Sequence, residues 1–466
     1  MKAGIITFVF LFSIAFCYSQ ESQGISNSNY VPTTSVWLNP ASIADTRTWI
    51  DINIAGLSFF ALNNHEVIRK SNFVSGNYQN EEDLEYKGLK YASMDLAIEG
   101  PGITYAKGIN TYGVAFRNRT QLDFRGIPDH LSHYLHDRFV NSELNEFYED
   151  QLLTIRDMDL NVLQWSEVNF SLGHILMTNN KNQMNAGVTL KTIWAANHFG
   201  LKVDYTEYDI DNPSELEITN FKGEYGVGPS SRGYNGLGFD FGFTYKKLFR
   251  STRLHKPHTL RNRCKIAHYR YKVGLSLLDV GSAKFKNKAV RASLNDVSGD
   301  LSEVNSVAPG DFGEITPILD GVFDNDLSKV FKEDKYNVGL PTALAFQFDY
   351  FFKHNIFLAF NLNQAFGKSA GFGTKRLSSL SLIPRYEKER FEFSFPVTLV
   401  NYQEPQIGFA IRAKYVIIGM EKIESLFLNK DVYGFDFYFN LKLPIYRLKS
   451  CRSGNRRVAA IPCWKY

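Results

Sequence analysis

Leu237-Gly238-Phe239-Asp240-Phe241-Gly242-Phe243-Thr244-Tyr245 alternates without a fault: every odd-numbered side chain is bulky and apolar, every even-numbered one small or polar. In a strand, successive side chains point to opposite faces, so this segment has one oily face and one wet face. A tilted strand of roughly nine to eleven residues is also long enough to cross a bilayer. Many such strands closed into a cylinder make a transmembrane barrel, with lipid outside and water or a plug inside.

The same pattern recurs outward from that stretch in both directions. Towards the N-terminus it runs through Ile50 to Ile54, then Met94, Leu96 and Ile98, and Tyr112, Val114 and Phe116. Val168, Phe170 and Leu172 precede an Asn-rich turn at 178–182, and Met184, Ala186, Val188 and Leu190 return from it. Towards the C-terminus it runs through Tyr269 to Leu277, 344–350, 356–362, 391–399, 407–415 and 435–443. Short polar connections at 352–355, 387–390 and 402–406 read as hairpin turns, and Pro396 marks a bulge because proline cannot donate to a ladder. The expected fold is all-β: a transmembrane antiparallel β-barrel of about fourteen strands, with an N-terminal plug segment and a few helical loop insertions. A soluble β-sandwich also alternates, but its outward face is richer in Lys and Glu than the Gly-, Ser-, Thr- and Asn-rich wet face here.

Composition agrees. With 38 Phe and 25 Tyr, the chain has the aromatics that suit strands and form the girdles at both membrane interfaces. Tyr245, Tyr269, Tyr350, Phe351, Tyr415 and Tyr446 recur at strand ends, as girdles require. A net charge of +4 gives no reason to expect nucleic acid. Residues 1–19 read as a signal peptide: Lys2, an apolar run from Ala3 to Cys17, and small residues before a cut that leaves Gln20. Phe16 is a poor residue before a lipidated cysteine, which argues against a lipid anchor on Cys17. The expected location is the outer membrane. Cys264, Cys451 and Cys463 remain, too few for a disulfide framework, although a Cys451–Cys463 bridge is conceivable.

Residues 20–47 are not strand-like. Asn39 suits a helix N-cap and Pro40 its first position, so Asn39-Pro40-Ala41 predicts a turn into one short helical turn. This segment is the candidate plug or hatch ahead of a barrel spanning 48–447, with 448–466 as a basic tail. Three stretches interrupt the alternation. Pro128 to Leu152 reads as helical, His198 to Tyr234 as a long polar, Gly-rich loop, and 287–335 as an acidic insertion with a helix-compatible piece near 315–331.

On the wet faces, glycines at 113, 187, 238, 242, 274 and 408 predict curvature or the close approach of another element, for which the N-terminal segment is the natural candidate. The lumen-facing charges expected on those faces are Arg117, Lys191, Asp240, Arg270, Lys272, Asp349, Arg412, Lys414, Asp436 and Lys442. On the lipid face at mid-membrane each Arg or Lys would cost about 2–4 kcal/mol. Two readings of these charges stay open: an ion-paired interior that braces the wall, or a mildly basic passage for anionic or amphipathic solutes.

No Walker loop, nucleophile elbow or H-E-x-x-H is present. His130, His133 and His136 fall on a predicted helix, but His130 and His136 are rotated well apart, and a solvated polar face explains them. No catalytic constellation, metal site or cofactor is expected. The function read from the residues is a non-enzymatic barrel that binds or passes a small hydrophobic or amphipathic ligand. The alternative is a structural barrel with a plugged lumen, partnered in a surface or secretion complex.

Two strings carry a resemblance. SNSNYVPTTSVWLNPASIADTRTWIDIN, from Ser26 to Asn53, and KVGLSLLDVGSAKF, from Lys272 to Phe285, resemble an uncharacterised family of Bacteroidota outer-membrane barrels defined by a domain of unknown function. More distantly, Asn39-Pro40-Ala41, placed just before the first strand, is similar to the element in the N-terminal hatch of FadL-type barrels, which take up hydrophobic compounds. That wider group also includes barrel partners of type IX secretion. The resemblance implies about fourteen strands and an N-terminal plug; it implies no substrate. The small-residue, Gly-rich run that often precedes the hatch motif is replaced here by Val31 to Leu38, and the chain continues past its last strand, so Tyr446 or Tyr466 would serve as the terminal aromatic.

Overall fold

The computed structural model describes residues 22–64, 66–67, 81–82, 88–136, 153–212, 215–229, 233–249, 258, 268–286, 288–300, 330–366, 371–423 and 433–446. The signal peptide, the basic tail, Cys264, Cys451 and Cys463 lie outside these residues, as do 137–152 and 301–329 of the expected insertions.

The strands form a closed antiparallel barrel of fourteen staves. The first stave is β1 (Ile50–Asn63). Next come β2 (Lys90–Lys107), β3 (Asn110–Ile127), β4 (Leu153–Asn179) and β5 (Asn182–Asn212), all continuous. β6 is in two pieces, Glu215–Gly228 and Gly236–Leu248, and so is β7, Tyr269–Phe285 and Val290–Asp300. β8 has three: Val330–Glu333, Tyr336–Gly339 and Ala343–Phe351. β9 (Ile356–Ala365) and β10 (Ser379–Glu387) are continuous, whereas β11 (Phe391–Ser394, Val397–Val400) and β12 (Glu404–Ile407, Phe409–Ala413) are broken. β13 (Val416–Met420) and β14 (Gly434–Ile445) complete the ring, which closes where β14 pairs with β1, from Ile50 opposite Ile445 to Leu62 opposite Gly434. No edge is left to recruit another chain at this seam.

Tight turns gather at one end of the barrel, where Gly108 and Asn180 adopt φ of +69° and +51° and the chain enters the wall with Trp49 N donating to Ile445 O at 3.0 Å. Short turns mark the periplasmic end of outer-membrane barrels. The expected bulge at Pro396 is a full interruption of β11, matched in β12 by Gly408, whose amide donates to Pro396 O at 2.8 Å.

The alternation partitions as expected. Leu237, Phe239, Phe241 and Phe243 are exposed on the outer face, while Gly238, Asp240 and Thr244 between them are buried. Ile98, Ile103, Val114, Phe170, Leu172, Leu275, Leu382, Val397, Ile418 and Leu443 extend the same exposed apolar face around the ring. Among the described residues no helix is long and apolar enough to cross a membrane.

Three expectations need correction. His198 to Tyr234 is not a long loop: it holds the upper part of β5 and the first piece of β6, paired from His198 opposite Gly228 to Asn212 opposite Glu215. Within 287–335, Val290–Asp300 and Val330–Glu333 are strands as well. Both stretches are polar and Gly-rich because they stand beyond the oily band, where an outward face meets water. There the staves enclose a second, dry core of Ile155, Met158, Val203, Phe221, Tyr225 and Leu294, capped by Leu131 of a helix at Asp129–His136. That helix confirms the start of the expected helical insertion, and His130 in it stacks on Tyr208 with centroids 5.6 Å apart. Third, Tyr269 is no girdle residue: a register shift between Tyr269 and Tyr271 turns it inward, where it is buried.

Candidate functional site

Part of the inner face of the barrel is covered by residues of its own chain. Ahead of β1 lie two single-turn helices, α1 (Gln23–Ser26) and α2 (Pro32–Ser35), and a 3-10 turn, Pro40–Asp45. Asn39 caps that turn in extended conformation: its Oδ1 accepts from Ala41 N at 2.9 Å, while its Nδ2 donates to Gln347 Oε1 on β8 at 3.1 Å and to Phe243 O on β6 at 3.3 Å. Pro40, with no amide to satisfy, follows at the first position.

The wall meets this turn with glycines. A Cβ on Gly187 would lie 2.3 Å from Pro40 C, one on Gly242 2.2 Å from Asn39 Oδ1, and one on Gly274 2.9 Å from Asn39 Nδ2. Real Cβ atoms do not approach this closely, so three of the six glycines singled out in the sequence form a cradle for Asn39-Pro40-Ala41. Gly173, which the sequence reading passed over, does the same for Ile43 at 2.6 Å. Gly113, Gly238 and Gly408 instead meet neighbouring wall residues.

Polar bonds fix the rest of the segment. Gly24 N donates to Glu421 Oε1 at 2.9 Å and Ser394 Oγ to Gly24 O at 2.6 Å. Asn27 Nδ2 donates to Asn361 Oδ1 at 3.0 Å, Ser28 Oγ to Glu392 Oε2 at 2.5 Å, and Asn29 Nδ2 to Glu387 Oε1 at 2.9 Å. Arg47 pairs with Glu387 at 3.3 Å and donates to the Tyr30 hydroxyl at 3.0 Å. Burial raises the Tyr30 phenol above its ordinary range.

The expected lumen-facing charges fall into ion-paired groups. Lys191 bridges Asp240 at 2.8 Å and Asp279, and Asp279 also receives Arg119 at 2.8 Å and Arg376. Lys272 stands 3.7 Å from Asp349, which Arg385 grips through both guanidinium ends at 3.0 and 2.8 Å. Arg412 pairs with Glu392 at 3.0 Å, and Lys442 joins Asp51 at 3.2 Å and Thr34 Oγ1 at 2.9 Å. Arg117 lies 3.9 Å from Glu99 with its guanidinium over the Trp37 ring, and Asp436 accepts from the amides of Glu421 and Lys422. Two expectations fail. Arg270 is exposed, because the shift that buries Tyr269 gives it the outward position. Lys414 sits in the turn after β12, its ammonium over the Tyr415 ring at 4.2 Å.

Sequence reasoning missed Arg119, Asp279, Arg376 and Arg385. Arg119 shares the parity of Arg117 and was legible in principle. Asp279 lies in a bulge with φ of +51° that breaks the alternation of β7, so its inward direction is invisible to a count by twos. Arg376 belongs to residues 371–378, which connect β9 to β10 by folding into the barrel. Gly339 N donates to Phe372 O at 3.0 Å, Arg376 Nε to Pro341 O at 3.0 Å, and Gln121 Nε2 to Lys375 O at 3.3 Å. Phe372 is buried against His198, Phe285 and Tyr336, its ring lying flush on Gly200 and Gly226, where a Cβ would come within 2.4 Å of it.

Between this inward strap and α1 lies a chamber lined by Gln23, Ser58, Phe60, Ser93, Asp95, Arg117, Gln121, Ala343, Asn363, Arg376, Leu377 and Ser379. Its wall mixes apolar side chains with hydroxyls, amides and charge. Gln23 Nε2, Arg117 Nε, Gln121 Oε1 and Asn363 Oδ1 are buried there without a hydrogen-bond partner. Among the described residues no group of three or more His, Cys, Asp or Glu converges as a metal site would.

No curated protein matches the chain in sequence. Solved structures similar in shape include the Ralstonia pickettii toluene transporter TbuX, at 8% identity over 91% of this chain and 97% of that one with a TM-score of 0.41. Others are a Pseudomonas aeruginosa FadL homologue, at 9% identity over 92% and 97% with a TM-score of 0.41, and a deltaS2S3 mutant of the monoaromatic hydrocarbon channel TodX, at 7% over 92% and 99% with a TM-score of 0.45. A family model matches residues 40–420, from the capped turn to the end of β13: the chain belongs to the family of unknown function DUF5723.

Proposed function

We propose that this protein is a non-enzymatic outer-membrane barrel that binds and passes a small amphipathic solute, with residues 22–47 as its periplasmic plug and 371–378 as its outer strap. The chamber between the two carries this reading. The space is small as it stands, about 40 Å³ and partly open, but its lining of Phe60, Ala343 and Leu377 on one hand and Gln121, Asn363 and Arg117 on the other is the mixture that a solute with an oily part and a hydrogen-bonding part would meet once the plug or strap gives way. Buried polar atoms without partners are costly unless a solute or water satisfies them. The ion pairs around the N-terminal segment favour a braced interior over an open basic passage, because each expected lumen cation is already matched by an acid or lies outside the lumen. The alternative of a structural partner in a surface or secretion complex gains no support from the comparisons.

Single-channel conductance in planar bilayers tests the reading. The intact barrel is expected to conduct weakly, and a variant lacking residues 22–47 to conduct through a wide pore. Liposome uptake of a small amphipathic dye should rise in parallel. Equal conductance with and without the segment would rule out its role as a plug.

A further inference from the structure

A groove opens on the lipid-facing side of the wall where β6 and β7 are both interrupted. Leu237 and Phe239 of β6 and Val280 of β7 form its floor, and Gly236, Gly281 and Ser282 leave the backbone between them bare. Leu237 and Phe239 are the exposed members of their strand, alternating with buried Gly238 and Asp240, so the groove faces outward. The break in the wall beneath it is sealed by Asn235, whose side chain accepts from Ala195 N at 2.7 Å and whose carbonyl accepts from Lys284 N at 2.8 Å. One rim carries Tyr234, edge-on to Trp194 with centroids 6.5 Å apart and both rings exposed. The other carries Lys284 and Lys286, both exposed.

Height and charge say what would lie there. The lower aromatic band on β7 is Tyr271, stacked on Phe348 and beside Tyr245. Thirteen residues further on, one of them taken up by the bulge, Lys284 stands roughly 30 Å above it at ~3.3 Å per residue and ~40° of tilt, past the top of an oily band ~25 Å tall. Below Lys284 on the same outward face come Ser282, Val280 and, past the bulge, Leu277, so the wall changes from cationic to apolar within the groove. Among the described residues neither Lys284 nor Lys286 has a side-chain partner, and the residue paired with Lys284 on β8 is the neutral Asn337. Exposed aromatics beside lysines at the water edge of an apolar wall are complementary to an acidic headgroup with an acyl chain attached.

We propose that this groove binds a phosphorylated lipid of the outer leaflet, with its phosphate between Lys284 and Lys286, its backbone against Trp194 and Tyr234, and one chain along Leu237, Phe239 and Phe241. This inference rests on the membrane-facing wall and not on the solute passage. The test is native mass spectrometry of the full chain in detergent, titrated with bisphosphorylated lipid A and with the same lipid dephosphorylated. The wild type should retain the phosphorylated form roughly tenfold better, and K284Q/K286Q should lose that preference. K107Q/K181Q, which removes two lysines at the opposite end, should keep it. Heat-dependent mobility in electrophoresis verifies that each variant is a folded barrel. A wild type indifferent to the phosphates, a K284Q/K286Q variant that still discriminates, or an equal loss in K107Q/K181Q would each overturn the proposal.

Discussion

The side chain of Asn39 occupies the space that a side chain on Gly242 would need, with Oδ1 only 2.2 Å from the position of the missing Cβ. One residue belongs to a capped turn ahead of the barrel, the other to the middle of a membrane-facing stave. The wall is therefore shaped for the segment that lies against it.

Substituting Gly242 tests that fit. Gly242→Leu should expel the Asn39-Pro40-Ala41 turn while the ring still closes, at a cost typical of overpacking, about 1–3 kcal/mol. Expected outcomes are faster proteolysis within residues 22–47 and larger single-channel currents. Gly113→Ala is the control, because its Cβ would meet Ser171 Cβ at 3.3 Å and touch nothing of the N-terminal segment. Identical protease patterns for both variants would contradict the cradle.

Asn39→Ala removes a cap and two bonds to the wall without adding bulk. Loss of the cap costs about 1 kcal/mol, and a partner left unsatisfied in the interior adds about 1–3 kcal/mol. The temperature at which the folded electrophoretic band disappears should fall, and Asn39→Asp should not restore it, because a carboxylate keeps the bond to Ala41 N but cannot donate to Gln347 or Phe243 O.

Asp279 holds three cations, one from β3, one from β5 and one from the inward strap. Asp279→Asn leaves Arg119, Lys191 and Arg376 without that shared charge, and breaking a buried group of this kind costs about 3–5 kcal/mol. Asp240→Asn should cost less, since Lys191 keeps Asp279. Urea titrations of the two variants in detergent give the order, and an Asp279→Asn midpoint at or above that of Asp240→Asn would refute the account.

Phe372→Ala empties the slot between Gly200 and Gly226. Removing a buried phenyl ring costs about 3–5 kcal/mol where the site cannot collapse. The loss should be local: the strap at 371–378 should become cleavable from the outside of intact cells while the barrel remains folded. Protection unchanged from the wild type would show that the ring does not pin the strap.

Much of this was legible in the sequence because lipid imposes a strict demand. Hydrocarbon accepts no charge at mid-height and no unpaired backbone, so β6 and β9 announce themselves by parity alone. Parity fails where the register shifts. It put Arg270 inside and Tyr269 in the girdle, and it gave no direction to Asp279, because a bulge adds a residue that pairs with nothing. It also cannot say where a stave ends, so Lys414 has the parity of a lumen residue and yet sits in a turn. The glycines told a truer story than the charges, since close approach leaves no other choice of residue. Their partners were less legible: Gly242 meets Asn39, but Gly238 meets Leu340. Stretch 198–234 carries no membrane-strand pattern because the rule for such strands ceases to apply once the stave rises into water.

β5 runs for 31 residues. At ~3.3 Å per residue and ~40° of tilt it climbs about 80 Å, some three times the height of the oily band. Its hairpin with β6 must then stand clear of the lipid headgroups as a stiff fin, braced by its own dry core. Antibodies, phages and neighbouring cells would meet that fin well above the headgroups, and an epitope inserted at 213–214 would report surface display without disturbing the pore.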